Sequence, residues 1–371
     1  MTRIAAVLWS GDIGGAETFT VDLCRAMRVL GADAGVVFVT RSGPLEDRLD
    51  AAGIPHTSLG LTRGYHVTHH PRALARSIRA LGPHGALLPR RGYLAAALRA
   101  GGYRGRIVAV LHDAALELRP KSLRPKSFRY RVVRPIDRAI GFWASDVDVA
   151  VSDYMLSHLR RQPRTGRLVR IYNGVDLHVY TGSPGSADQQ AVTIGCAGRL
   201  VEGKGIDVLL RAFAEGAARE GAQLRIAGDG PKRSMLESLA SELGLNGSVE
   251  FTGWTFDMPS FWRGCDVAVL PSDGGIESFG MVAIEAMACA RPVVVTANGA
   301  LPELVEDGVT GSVVPRGDVG ALADALVTLT QDPERRRTAG SAARARCEQR
   351  FDIRDCAASY LELFREGERP A

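Results

Sequence analysis

Asp266–Thr296 reads DVAVLPSDGGIESFGMVAIEAMACARPVVVT. Its first apolar run, Asp266 to Pro271, has the length of a buried strand. A glycine- and acid-rich loop follows, a helix of small residues opens near Phe279, and a second β-branched run fills Pro292–Thr296. Strand, helix and strand in that order form the repeating unit of a parallel sheet covered by helices. Glu277 lies in the loop and Glu285, eight residues on, about two turns inside the helix. Between them the backbone N–H groups of Ser278, Phe279 and Gly280 occupy the positive end of the helix, a seat for an anion such as phosphate. Gly280 lets that anion approach the backbone. Two acids flanking an anion seat suit a sugar joined to a nucleotide diphosphate.

The same alternation of short apolar runs and amphipathic stretches extends in both directions. Toward the N-terminus strands are expected near Ile4–Trp9, Gly35–Thr40, Pro55–Leu59, Ala86–Pro89, Ile107–Leu111, Val147–Val151 and Leu168–Tyr172. A second series falls near Val192–Ala197, Gln223–Ala227, Val249–Thr252, Val267–Leu270 and Pro292–Thr296, before a mainly helical tail from Val319. Asn173–Gln190, rich in Gly, Pro, Ser and Asp, is the expected linker. The expected architecture is therefore α/β, with two doubly wound parallel-sheet domains, residues 1–175 and 176–351, facing across a cleft.

Composition agrees with two cores: 371 residues, 46% of them hydrophobic. No run approaches the roughly 20 apolar residues of a membrane span, and the chain enters a strand-like RIAAVLWS at once, so a cytoplasmic protein is expected. Six scattered cysteines with no CxxC pair read as reduced core residues. Residues 1–175 hold 27 Lys+Arg against 13 Asp+Glu, a net +14, and the remainder 19 against 28, a net −9; together they give the +5 of the whole chain. A basic first half implies an anionic acceptor or an anionic membrane surface, the latter at the inner face of the membrane. Few aromatics and no recognised motif argue against nucleic acid.

Other motifs follow strands. GDIGGAET places Gly14 and Gly15 where backbone N–H groups meet a phosphate. GRLVEGKGID carries Arg199 and Lys204 on a glycine-flanked loop, two cations able to neutralise a departing diphosphate. IAGDGP, containing Gly228, shapes a strand-to-helix turn beside it. Asp146 and Asp148 spell DVD but flank a strand and are expected to be solvated there. His66, His69 and His70 sit in a polar loop without nearby Cys or carboxylate. No metal or other cofactor is expected.

GGAET, HD, IYNGVD, GRLVEGKGID, AGDGP, FTGW and ESFGMVAIEAMACARPVV occur in the order seen in family four glycosyltransferases, which the chain resembles over nearly its whole length. The resemblance implies the GT-B fold of two Rossmann-like domains and retaining, metal-independent transfer from a nucleotide sugar. It implies that Arg199 and Lys204 grip the diphosphate and that Glu285 binds the ribose hydroxyls. Glu277 and the Ser278–Gly280 backbone would hold the sugar and distal phosphate, with Glu277 orienting rather than attacking. His112 would contact the transferred sugar, Gly15 would approach the phosphates, and the C-terminal helix within 352–371 would pack back on the first domain. Gly274 and Gly275 loosen the loop around Glu277, which leaves the donor sugar open.

Arg41, Arg90, Arg91 and Tyr93 are candidate acceptor contacts. The seven cations of Arg119–Arg134 suit an acceptor channel, an anionic lipid surface or a solvated helix equally. The expected reaction moves a hexosyl or N-acetylhexosaminyl group, with UDP as the expected carrier, to a hydroxyl of a glycan, lipid-linked or small-molecule acceptor. Two rivals share the scaffold: a nucleotide-sugar 2-epimerase, and a partner subunit without catalysis. Oligomeric state is unreadable from the sequence.

Overall fold

The computed structural model describes residues 1–12, 14–61, 69–88, 93–112, 143–162, 166–183, 191–274 and 276–366. The chain divides into two compact units, Met1–Gly174 with Ile353–Ala371, and Val175–Asp352.

Unit 1 contains β1 (Arg3–Leu8), β2 (Asp33–Phe38), β3 (His56–Ser58), β4 (Gly85–Leu88), β5 (Arg106–Leu111), β6 (Val147–Ala150) and β7 (Arg167–Arg170). They form one sheet in the order β3-β2-β1-β4-β5-β6-β7, every neighbouring pair parallel. β4 and β6 are buried along their whole length, as strands with helices on both faces must be. Val7, Val37, Leu88 and Ile107 pack with Leu74 and Ile78 of the helix Pro71–Leu81 and with Leu94 and Leu98 of the helix Tyr93–Ala100. The last helix, Ile353–Arg365, returns to this unit and packs on the helix Gly15–Val29. Its Phe364 ring lies so close to Gly85 that a Cβ there would stand 2.3 Å from the ring.

Unit 2 contains β8 (Thr193–Ala197), β9 (Gln223–Ala227), β10 (Val249–Gly253), β11 (Val267–Leu270), β12 (Val293–Thr296) and β13 (Gly311–Val314), in the order β10-β9-β8-β11-β12-β13. These pairs are parallel too. Ile194, Leu224, Val267 and Val294 pack against Leu209 and Phe213 of the helix Ile206–Glu215 and Leu326 of the helix Val319–Gln331. β13 was not among the expected strands. It has four residues and opens on Gly311, φ +153, whose missing Cβ would lie 2.0 Å from the Val293 carbonyl oxygen, so neither length nor alternation announces it.

In each sheet the strand order reverses once, between β1 and β4 and between β8 and β11. Loops leaving the carboxyl ends of such a pair diverge to opposite faces and open a crevice, the usual ligand site of doubly wound sheets.

The boundary between the units, Gly174 to Val175, falls within the expected linker, whose described part is packed. Val175 bridges Asp352, its N–H donating to Phe351 O at 2.8 Å, and Arg344 Nη1 donates to Tyr180 O at 2.7 Å. Gly182 lies against the Cys289 backbone. Its polar composition serves packed backbone turns in 173–183, while 184–190 lie outside the described residues. All six cysteines are buried. Burial pushes the Cys24, Cys196 and Cys265 thiols up to about 12, which makes them poor nucleophiles. Among the described residues no helix is long and apolar enough to cross a membrane.

Candidate functional site

At the unit 2 reversal two loops clasp each other. Gly205 is left-handed, φ +67, and a Cβ on it would stand 1.9 Å from Pro271 O, so only glycine lets the loop after β8 lie on the loop after β11. The N–H groups of Asp273 and Gly274 donate to Gly203 O, both at 3.2 Å. This clasp carries Lys204 Nζ to 2.6 Å from Glu277 Oε1. Ser272 Oγ donates to the same oxygen at 2.6 Å. Ser272 O in turn accepts from Thr296 Oγ1 at 2.6 Å and Asn298 Nδ2 at 3.0 Å, both just beyond or at the end of β12. The Glu277 backbone is fixed as well: its carbonyl accepts from Ala300 N–H at 2.9 Å, and Gly299, φ +60, passes so close that a Cβ would be 2.1 Å from that oxygen.

The Glu277 side chain is 17% exposed and that of Lys204 32%. Burial works to raise the Glu277 carboxyl. The Lys204 ammonium, hydrogen bonds from Lys204 and Ser272, and the charge of Arg199 outweigh it and hold the group below the usual carboxylate range. Glu277 is therefore an ionised acceptor at neutral pH. Arg199 is exposed on the loop after β8, and among the described residues its guanidinium makes no hydrogen bond or ion pair. Beside it Gly228, φ +139, packs on Gly198, where a Cβ would lie 1.9 Å from the carbonyl oxygen. The sequence brings Arg199, Lys204, Gly228 and Glu277 to one end of one sheet.

The helix runs over Met281–Ala288 with left-handed Gly280, φ 112, as its N-cap. It thus opens two residues after Phe279, because Gly280 breaks the turn and its missing Cβ makes room for Leu301. Ser278 and Phe279 belong to the loop. Phe279 is 3% exposed, with its ring 6.0 Å from that of Phe351, so its side chain is core. Glu285 is the fifth helical residue, about one turn in where two were expected. Its Oε2 lies 3.5 Å from the indole nitrogen of buried Trp262.

At the unit 1 reversal Gly14 N-caps the helix Gly15–Val29, and space is open where a Cβ on Gly15 would project. Gly11 and Gly43 touch backbone to backbone, which sets the loop after β2 on the loop after β1. Arg41 is thereby paired with Asp12 at 2.9 Å, both side chains exposed at 76% and 54%. Tyr93 packs edge to face on Trp9, centroids 5.9 Å apart. His112 closes β5 with its ring edge-on to Phe19 at 5.6 Å. Arg90, Arg91, His66, Asp113, Gly275 and the run Arg119–Arg134 lie outside the described residues.

Asp146 pairs with Arg99 at 2.5 Å and accepts from Ile107 N–H at 2.6 Å. Asp148 is not solvated as expected: it is fully buried in β6 and accepts from Ser145 Oγ at 2.9 Å. His69 and His70 are exposed, His70 preceding the helix Pro71–Leu81. Among the described residues no three His, Cys, Asp or Glu side chains gather as a metal site. Sequence reasoning gives Ser272, Thr296 and Asn298 no individual role. Their one signal is position, within two residues of the ends of β11 and β12.

Two family models match: Glycosyltransferase Family 4 over residues 13–179 and Glycosyl transferases group 1 over residues 191–332. The GDP-mannose-dependent alpha-(1-6)-phosphatidylinositol monomannoside mannosyltransferase of Mycolicibacterium smegmatis is 32% identical over 344 residues, 83% of this chain and 86% of that one. The D-inositol 3-phosphate glycosyltransferase of Saccharomonospora viridis is 35% identical over 231 residues, 54% of this chain; the match spans about half, 53%, of that relative's length. Among solved structures, Anabaena HepE in complex with UDP and glucose superimposes with a TM-score of 0.81 at 24% identity, covering 99% of this chain and 100% of that one. By the two matched models, the relative matched over most of both lengths and the two doubly wound sheets, the chain belongs to the family 4, group 1 glycosyltransferases and has the two Rossmann-like domains of the GT-B fold.

Proposed function

We propose that the chain transfers a hexosyl or N-acetylhexosaminyl group from a nucleotide-diphosphate sugar to a hydroxyl of a glycan, lipid-linked or small-molecule acceptor. In this reading the anomeric configuration is retained and no catalytic metal takes part. The observation that supports it best is the Lys204–Glu277 contact of 2.6 Å, set beside exposed Arg199 and the amino end of the helix Met281–Ala288. Arg199 and Lys204 would neutralise the diphosphate as it leaves, the place where electrostatic stabilisation does most for the rate. Glu277, held ionised, would accept hydrogen bonds from sugar hydroxyls and orient the ring. Glu285 would take the ribose hydroxyls, the backbone of Ser278–Gly280 the distal phosphate, and His112 a hydroxyl of the transferred sugar.

The relative from Mycolicibacterium smegmatis is named for GDP-mannose, and the Anabaena structure contains UDP and glucose. Both names support a nucleotide sugar here; UDP stays the expected carrier and GDP its direct competitor. Thermal shift with UDP-glucose, UDP-N-acetylglucosamine and GDP-mannose tests the donor, since a ligand raises the melting temperature with its occupancy. At least one of them should stabilise the protein, and no shift from any would contradict the proposal. NMR of the product should show the donor's anomeric configuration, and donor incubated alone should not isomerise. A glycosyl ester trapped on Glu277 would overturn its orienting role.

A further inference from the structure

We propose that Ser272 is a positioning residue for donor-sugar recognition, acting through Glu277. The inference rests on the assignment of Glu277 to the sugar. Among the described residues two side chains donate to this carboxylate, Lys204 Nζ and Ser272 Oγ, and they reach the same oxygen, Oε1, each at 2.6 Å. The proposal gives the other oxygen, Oε2, to the sugar.

Two donors on one oxygen fix the carboxyl plane as well as its charge. Lys204 alone cannot do this: its ammonium ends a flexible four-carbon stem, and a bound diphosphate competes for it. The Ser272 hydroxyl has no such freedom. It is 3% exposed, its stem has one rotatable bond, and its backbone carbonyl is gripped by Thr296 Oγ1 at 2.6 Å and Asn298 Nδ2 at 3.0 Å. Chain order adds a second constraint, since Ser272 is the second residue after β11 and Thr296 ends β12, so rigid strands set the hydroxyl's place. When the diphosphate draws Lys204 away, Ser272 keeps Oε2 aimed at the sugar.

The sugar and the diphosphate should therefore part company on mutation. Calorimetric titration of wild type, Ser272→Ala, Glu277→Gln and the double variant with UDP-glucose and UDP, and with GDP-mannose and GDP, makes the test. Ser272→Ala should bind the preferred nucleotide sugar about tenfold more weakly, the loss of one hydrogen bond to a charged group. Its affinity for the matching nucleoside diphosphate should be unchanged, which also reports an intact fold. In the Glu277→Gln background the same change should cost less than threefold, because residues acting as a unit are not additive.

Equal weakening of nucleotide sugar and nucleoside diphosphate would overturn the proposal, as would full additivity with Glu277→Gln or no effect at all. Glu277→Gln binding every probe as wild type does would instead sink the assignment of Glu277 itself. So would a wild type that binds neither nucleotide sugar.

Discussion

The two sheets share a winding, and the loops at their reversals are built differently. In unit 2 three glycines, Gly205, Gly228 and Gly299, let neighbouring loops close backbone on backbone, each where a Cβ would stand 1.9 to 2.1 Å from a carbonyl oxygen. The clasped loops carry Lys204, Ser272 and Glu277 into contact at 2.6 Å. In unit 1 the described loop after β1 has one such backbone contact, Gly11 on Gly43, beside an exposed ion pair, Arg41 with Asp12, while a Cβ on Gly15 would meet open space. Preorganised charge belongs to the first construction and adaptable side chains to the second. Under the proposed function, a site that meets the same diphosphate at every turnover would gain from rigidity, and a surface that selects among acceptors would vary.

The contrast is sharpest in activity. Glu277→Ala should lower kcat/KM for transfer about 10³-fold, the scale of a preorganised electrostatic group, whereas Asp12→Ala in unit 1 should lower it less than about threefold. Equal losses would erase the distinction.

Stability should divide the same way. Gly228→Ala forces a side chain onto Gly198 O at φ +139 and should cost about 3 kcal/mol or more in urea denaturation. Gly15→Ala, with open space around it, should stay within about 0.5 kcal/mol. A tolerant Gly228 would mean that the clasp is not a constraint.

Acid titration tests the charge pair. In wild type the Lys204 ammonium holds the folded Glu277 carboxyl below the ordinary carboxylate range, so its contribution to stability is full above that range and is lost as pH falls through the folded value. Lys204→Met removes the main counter-charge and leaves burial to raise the carboxyl. The variant should be roughly 2 kcal/mol less stable at pH 7, and the gap should narrow as the carboxyl protonates on acidification. A gap independent of pH would separate Lys204 from Glu277. The smallest effect falls to the exposed pair: Arg41→Ala should change stability by less than about 0.5 kcal/mol, measured at low and at 0.5 M salt.

Sequence legibility follows the same divide. β9 and β11 lie where alternation and β-branching place them, and most other strands agree within one or two residues, because buried parallel strands are continuous apolar runs. Gly-led β13 was hidden, and the onset of the helix at Met281 was set by the left-handed Gly280, which no propensity scale registers. Arg199, Lys204 and Glu277 were legible because charge beside glycine after a strand is a local pattern. Ser272 was not: serine after a strand is ordinary, and its bond to Glu277 arises from the fold of the loop. The pairing of Arg41 was hidden for the complementary reason, since its partner Asp12 lies 29 residues away.

The most direct measurement is equilibrium binding of the nucleoside diphosphate of the preferred donor to wild type and to an Arg199→Ala/Lys204→Ala variant that retains the wild-type circular dichroism. Removing both cations should weaken binding about 100-fold or more, the worth of two charge-assisted contacts to phosphate. Unchanged affinity would contradict the account, because the diphosphate would then be held somewhere other than the clasped loops of unit 2.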